Sequence, residues 1–115
     1  MQTVNQGAVF WITPSESNEI ESDYAHPYVV IQEDKMGAIT VCAITSNLKR
    51  AKSIGNILLE AGEANLSKQS VIEVSKMFTI DKSQLGEYIG ALTEQRVNEV
   101  LSGISFIETM TQHHD

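Results

Sequence analysis

Apolar positions along most of this chain come in short runs broken by polar stretches and turn residues, a spacing that predicts strands rather than helices. Gly7 opens the run Ala8-Val9-Phe10-Trp11-Ile12, dense in β-favouring side chains. Pro14 and the polar residues 15–23 end it, so residues 14–25 read as a long exposed loop. Long loops in small domains tend to carry function. Pro27 suits the first position of a strand, where a missing N–H does least harm, and Tyr28-Val29-Val30-Ile31 continues that strand. Asp34-Lys35-Met36-Gly37 is a turn and residues 39–45 are the next strand, and so short a connection predicts a hairpin. Further strands are expected over 56–59, 70–74, 76–80 and 87–92, with a loop over 61–65 and a turn or single helical turn over 81–83. The last strand is placed to close the sheet.

One segment changes period. After Thr93 the apolar residues Val97, Val100, Leu101, Ile104 and Ile107 fall on one stripe of an α-helix. Thr93 is a fitting N-cap, and Glu94 suits the positive end of the helix dipole. The helix is expected to run to about Glu108, with a frayed polar tail over 109–115. The fold class is therefore mainly β with one C-terminal α-helix, a small barrel or strongly bent sheet with the helix packed on it.

Composition narrows this picture. With 115 residues, 42% hydrophobic and 20% charged, the chain reads as a single globular domain over 1–115. So small a core gains from a dimer interface. No apolar run approaches a membrane span, and the first residues lack the basic and apolar regions of a signal peptide. The lone Cys42 lies in an apolar segment, forms no intramolecular disulfide and implies no metal cage. It reads as a small buried hydrophobe. These features point to the cytoplasm.

Charge cuts the other way from a general nucleic-acid binder, since the net charge is −7. The charges are uneven, however. Six acidic residues fall between Glu16 and Asp34, whereas Lys49, Arg50 and Lys52, three of the eight basic residues, stand within four positions. An anion site is expected near that cluster, although such runs are usually solvated loops.

Several segments, taken in order, carry a resemblance. They are Gly7-Ala8-Val9-Phe10-Trp11-Ile12, His26-Pro27-Tyr28-Val29-Val30-Ile31, Val41-Cys42-Ala43-Ile44-Thr45-Ser46, Leu66-Ser67-Lys68-Gln69-Ser70-Val71-Ile72, residues 78–85, and the join Ile89-Gly90-Ala91-Leu92-Thr93-Glu94. Their order and spacing over about residues 7–107 resemble the MazF/PemK-type toxin family. The resemblance implies an SH3-like β-barrel, a homodimer, and metal-independent, cofactor-free endoribonuclease cleavage of single-stranded RNA, usually mRNA, at short sequences. It also implies a cognate antitoxin protein that blocks the site. The family's functional pair is an arginine just before the strand-opening proline and a threonine at the end of the third strand. Thr45 matches the threonine, and His26 stands where the arginine would.

Cleavage without metal uses the RNA 2′-hydroxyl as nucleophile, so one group must accept its proton and another must protonate the departing 5′-oxygen. A histidine titrates near neutrality and suits that work, but it lacks arginine's fork for phosphate. Glu19, Glu21 and Asp23 would favour its charged form if close by. Thr45 and Ser46 are candidates to hydrogen-bond the phosphate or the 2′-hydroxyl, and Asn47 to read a base edge. Lys49, Arg50 and Lys52 are candidates to hold the backbone, and Tyr24 to stack on an unpaired base. Trp11 is expected mainly as a core or dimer contact. Ser75 and Lys76 stand where many family members have an Asp-Gln pair, and His113 and His114 read as tail residues. Two alternatives stay open: a catalytically weak or inactive relative that only binds antitoxin, and a gyrase poison on the same fold. The second would act through its helix, where Phe106 is the only late aromatic.

Overall fold

A computed structural model describes residues 4–13 and 26–112. The elements are β1 (Ala8–Ile12), β2 (His26–Glu33), β3 (Ala38–Thr45), β4 (Ile57–Leu59), β5 (Ser70–Asp81), β6 (Leu85–Ala91) and α1 (Glu94–Gln112). All strands join one antiparallel six-stranded sheet in the order β4-β5-β3-β2-β1-β6. The β2–β3 hairpin is turned by Asp34, whose Oδ1 accepts from the N–H groups of Met36 at 2.8 Å and Ala38 at 2.9 Å. Gly37 supplies the positive φ of 86° that the turn requires.

The expected strands at 70–74 and 76–80 are one strand with an irregularity between them. Cys42 pairs with Met77, and its neighbour Ala43 pairs with Glu73, so β5 bulges over 74–76. A bulge bends its strand and tightens the local twist, and this sheet needs strong curvature. In the sheet order β5 and β6 are separated by three strands, yet the 3-10 turn Lys82–Gln84 joins the end of one to the start of the other. At about 4.8 Å per strand spacing, a flat sheet would set them too far apart for that turn. The sheet therefore curls, and residues from both ends of the order share a core: Ile12, Tyr28, Val30, Ile39, Val41 and Ile80 are buried together, with Leu85 packed against them.

The opposite face of the same strands sends Val9, Val29, Cys42, Ile44, Ile72 and Val74 against the helix residues Val100 and Ile104. This alternation is the period-2 signature of the sequence with both faces buried. Each fully buried Val or Ile contributes about 1.5–3 kcal/mol relative to exposure.

The expected small barrel or strongly bent sheet takes the form of an open barrel. β6 pairs with β1, and among the described residues no ladder joins it to β4 or β5. Loop backbone occupies the seam instead. Asn65 Nδ2 donates to the carbonyl of Ile89 at 2.9 Å. A Cβ on Gly90 would stand 2.5 Å from the carbonyl oxygen of Ala64, so the loop lies too close for any side chain there.

In α1, Thr93 Oγ1 accepts from the Arg96 N–H at 3.2 Å, the expected cap. Val100 and Ile104 are buried, but Leu101 is 36% exposed, against the expected stripe. Gly103 takes the contact, because its missing side chain lets the helix backbone approach Gly55, whose carbonyl oxygen would be 2.5 Å from an added Cβ. The helix continues past the expected end at Glu108 to Gln112. No described helix is long and apolar enough to cross a membrane. The expected loop over 14–25, with Tyr24, Glu19, Glu21 and Asp23, lies outside the described residues, as do His113 and His114.

Cys42 is fully buried, and burial pushes its thiol up to about 12. Iodoacetamide at pH 8 is therefore expected to leave the native protein unmodified and to add one label only in denaturant, read by intact mass. Rapid labelling of the folded protein would mean that β3 opens far more readily than its packing allows.

Candidate functional site

The site grows from the ends of two neighbouring strands. β1 pairs Ile12 with His26, so His26 is the first residue of β2. β2 pairs Tyr28 with Ala43, and continuing that register sets His26 across from Thr45, the last residue of β3. Residues directly opposite in a ladder share a face. Both line one hollow of about 490 Å³, together with Ser46, a volume in the range of small-ligand pockets. Pro27, Ile44, Leu66 and Ile89 form its apolar part, and Trp11, Ser67, Lys68 and Ser70 line it as well.

The Thr45 hydroxyl is oriented by a local turn. Its Oγ1 accepts from the Asn47 N–H at 3.2 Å, which leaves its own proton free to be donated elsewhere. The Asn47 side chain is occupied within its own loop, where Oδ1 accepts from the Lys49 N–H at 3.2 Å and caps the 3-10 helix Leu48–Lys52. Lys49, Arg50 and Lys52 sit on that helix and do not line the hollow. Arg50 instead lies with its Nε 3.8 Å from Glu73 Oε2, and Lys76 Nζ is equally far from the same oxygen. Glu73 is only 6% exposed, and a buried carboxylate requires cations beside it. Burial, and then the Glu73 charge, raise the nearby Tyr28 phenol above its ordinary range. One member of the basic cluster, Arg50, thus compensates an internal acid.

Of the two roles expected for Trp11, core or dimer contact, the core one does not hold, since it is 41% exposed and lines the hollow. Lys68 is the residue that charge density in the sequence missed. It is a single lysine in a mixed stretch, and only the fold carries it to the hollow.

The wall that holds Lys68 is pinned from several sides. Arg96 reaches from α1 and donates through Nε and Nη2 to both carboxylate oxygens of Glu63 at 2.9 Å, while Nη1 holds Glu99 at 2.8 Å. The Gly62 N–H donates to Leu66 O at 2.7 Å. Gln69 Nε2 donates to Glu60 at 3.0 Å, and Ser70 Oγ donates to the Lys68 carbonyl at 3.0 Å.

A curled antiparallel sheet with one packed helix and a polar hollow at its strand ends defines a class of small β-domain. Known proteins place the chain within that class. The family described as PemK-like, MazF-like toxin of type II toxin-antitoxin system matches residues 5–107, and the chain belongs to it. The endoribonuclease MazF2 of Mycobacterium bovis is 24% identical over 106 residues, covering 88% of this chain and 93% of its own. The endoribonuclease MazF of Staphylococcus saprophyticus is 27% identical over 117 residues, covering 96% and 98%. Among solved structures, MazF from Deinococcus radiodurans superposes with a TM-score of 0.73 at 18% identity, over 94% of this chain and 99% of its own. A mycobacterial endoribonuclease solved with its cognate antitoxin gives 0.71 at 13%, over 90% and 93%. At such identities the structural likeness bears on the fold.

The Arg96 contact holds the Glu63 carboxyl below the usual carboxylate range. A depressed acid contributes stability that is complete above its unfolded value, about 4.3, and is lost as pH falls through its folded value. E63Q is expected to destabilise the protein by about 1 kcal/mol at pH 7, after allowance for solvent screening. The gap should shrink below about pH 4.3 and vanish in stronger acid, as measured by urea unfolding. A gap independent of pH would show that the ion pair is not its source.

Proposed function

We propose that this chain is the toxin of a type II toxin–antitoxin system and acts as an endoribonuclease, cleaving single-stranded mRNA at short sequences without metal. The observation that carries the reading is that His26 and Thr45, from neighbouring strands, line one hollow. Family membership and the endoribonuclease relatives support it. The neighbour solved with its cognate antitoxin supports an antitoxin protein as partner. The working form is a homodimer in the cytoplasm.

The chemistry follows from the groups present. The RNA 2′-oxygen attacks the adjacent phosphorus, the bond from phosphorus to the 5′-oxygen breaks, and the products are a 2′,3′-cyclic phosphate and a 5′-hydroxyl. His26 takes the 2′-hydroxyl proton or supplies one to the departing 5′-oxygen. The Thr45 hydroxyl, held by its contact with Asn47, donates to a non-bridging phosphate oxygen as charge builds there. Ser46 is a second hydroxyl at the same rim, and Trp11 offers a face on which an unpaired base can stack. Neither a silent antitoxin-binding relative nor a gyrase poison draws support from relatives that carry the name endoribonuclease.

The purified protein is expected to cleave single-stranded RNA in the presence of chelator, resolved on a denaturing gel with end-group analysis of the products. H26A should lower the rate by about 100-fold or more, and T45A by about 100-fold, with circular dichroism unchanged. Folded protein that cleaves no RNA across a panel of mixed sequences, or H26A at full activity, would sink this assignment.

A further inference from the structure

The geometry points to Lys68 as the residue that holds the scissile phosphate and neutralises the charge developing on it, an inference that rests on the nuclease reading above. The reacting phosphate gains negative charge as the 2′-oxygen adds to it, and a fixed positive group beside it lowers the barrier. Among the described residues that line the hollow, Lys68 is the one permanent cation. The hydroxyls of Thr45, Ser46, Ser67 and Ser70 are neutral. A histidine that passes a proton is neutral for part of the cycle, so it cannot supply a constant charge.

The electrostatic setting fits an anion. The chain carries 15 acidic residues against eight basic ones, yet no described residue that lines the hollow is an acid. Four of the seven other cations are paired elsewhere: Arg96 with Glu63 and Glu99, Lys82 with Glu33, and Arg50 and Lys76 beside Glu73; Lys35, Lys49 and Lys52 do not line the hollow. Lys68 forms no ion pair among the described residues.

Its backbone is held in place. Ser70 Oγ bonds the Lys68 carbonyl at 3.0 Å, Gln69 is tied to Glu60 at 3.0 Å, and Asn65 is tied to Ile89 at 2.9 Å. The Glu63–Arg96 pair then fastens the same loop to α1. So constrained a loop fixes where the lysine stem starts, which keeps its ammonium within reach of a phosphate in the hollow.

The test compares wild type, K68Q, K68R and a charge control, K35Q, on one single-stranded RNA over a series of salt concentrations in chelator. K68Q is expected to lose about 100-fold in kcat/KM. The slope of its logarithm against the logarithm of salt should fall by about 0.7, as for one lost phosphate contact on a single strand. K68R should recover most of the rate and the full slope, and K35Q should keep both, so the loss would not be one of net charge. Equal melting temperatures would show that K68Q is folded. If wild type cleaves and K68Q matches it in rate and slope, Lys68 has no such role. If K68R is as impaired as K68Q, the ammonium charge is not what matters and the inference falls. A wild-type protein that cleaves no RNA overturns the nuclease reading itself, and this inference with it.

Discussion

The contact on which most of this structure depends is the docking of the loop over 62–69 into the seam of the sheet. Among the described residues β6 forms a strand ladder with β1 alone, so its outer edge would otherwise be an unpaired row of donors and acceptors. The loop covers that edge with backbone. Gly90 permits the approach because a side chain would collide with the Ala64 carbonyl, and Asn65 satisfies the Ile89 carbonyl. The same loop is locked to α1 through Glu63 and Arg96. One short segment thus blunts a sheet edge, anchors the helix and forms a wall of the hollow. Stability and site geometry are coupled through it.

Curvature is the second constraint. A sheet whose strands are apolar on both faces must find cover for both. The helix covers one, and the other is buried only because the sheet curls on itself through the bulge in β5 and the tight turn into β6. Curling also gathers the ends of β2 and β3, β1 and the loop before β5 around one opening. The hollow is therefore a by-product of closing the core, and its polar groups sit where strand pairing stops.

The charge distribution resolves an apparent conflict between a net charge of −7 and the anion site proposed above. Binding an anion does not require a basic protein; it requires a local region free of acids with a cation in it. The densest basic run, Lys49 to Lys52, contributes Arg50 to the buried Glu73 and lies on a short helix capped by Asn47. Density of like charge along a chain reports solvation and local pairing more than it reports a site.

Much of the fold was legible in the residues alone. The strand positions, the Asp34 to Gly37 turn, the Thr93 cap and the burial of Cys42 all follow from interactions among residues a few positions apart, and such interactions are written in local spacing. The meeting of His26 and Thr45 was also within reach, because the hairpin between them sets their register. Tertiary structure decided the rest. It left the barrel seam open, turned Leu101 outward in favour of Gly103, took Arg50 to Glu73 and brought Lys68 and Trp11 to the hollow. Each of these rests on close approach between segments far apart in the chain, as with Glu63 and Arg96, 33 residues distant. Distances of that kind are fixed by how the whole sheet packs, which no local pattern of side chains encodes.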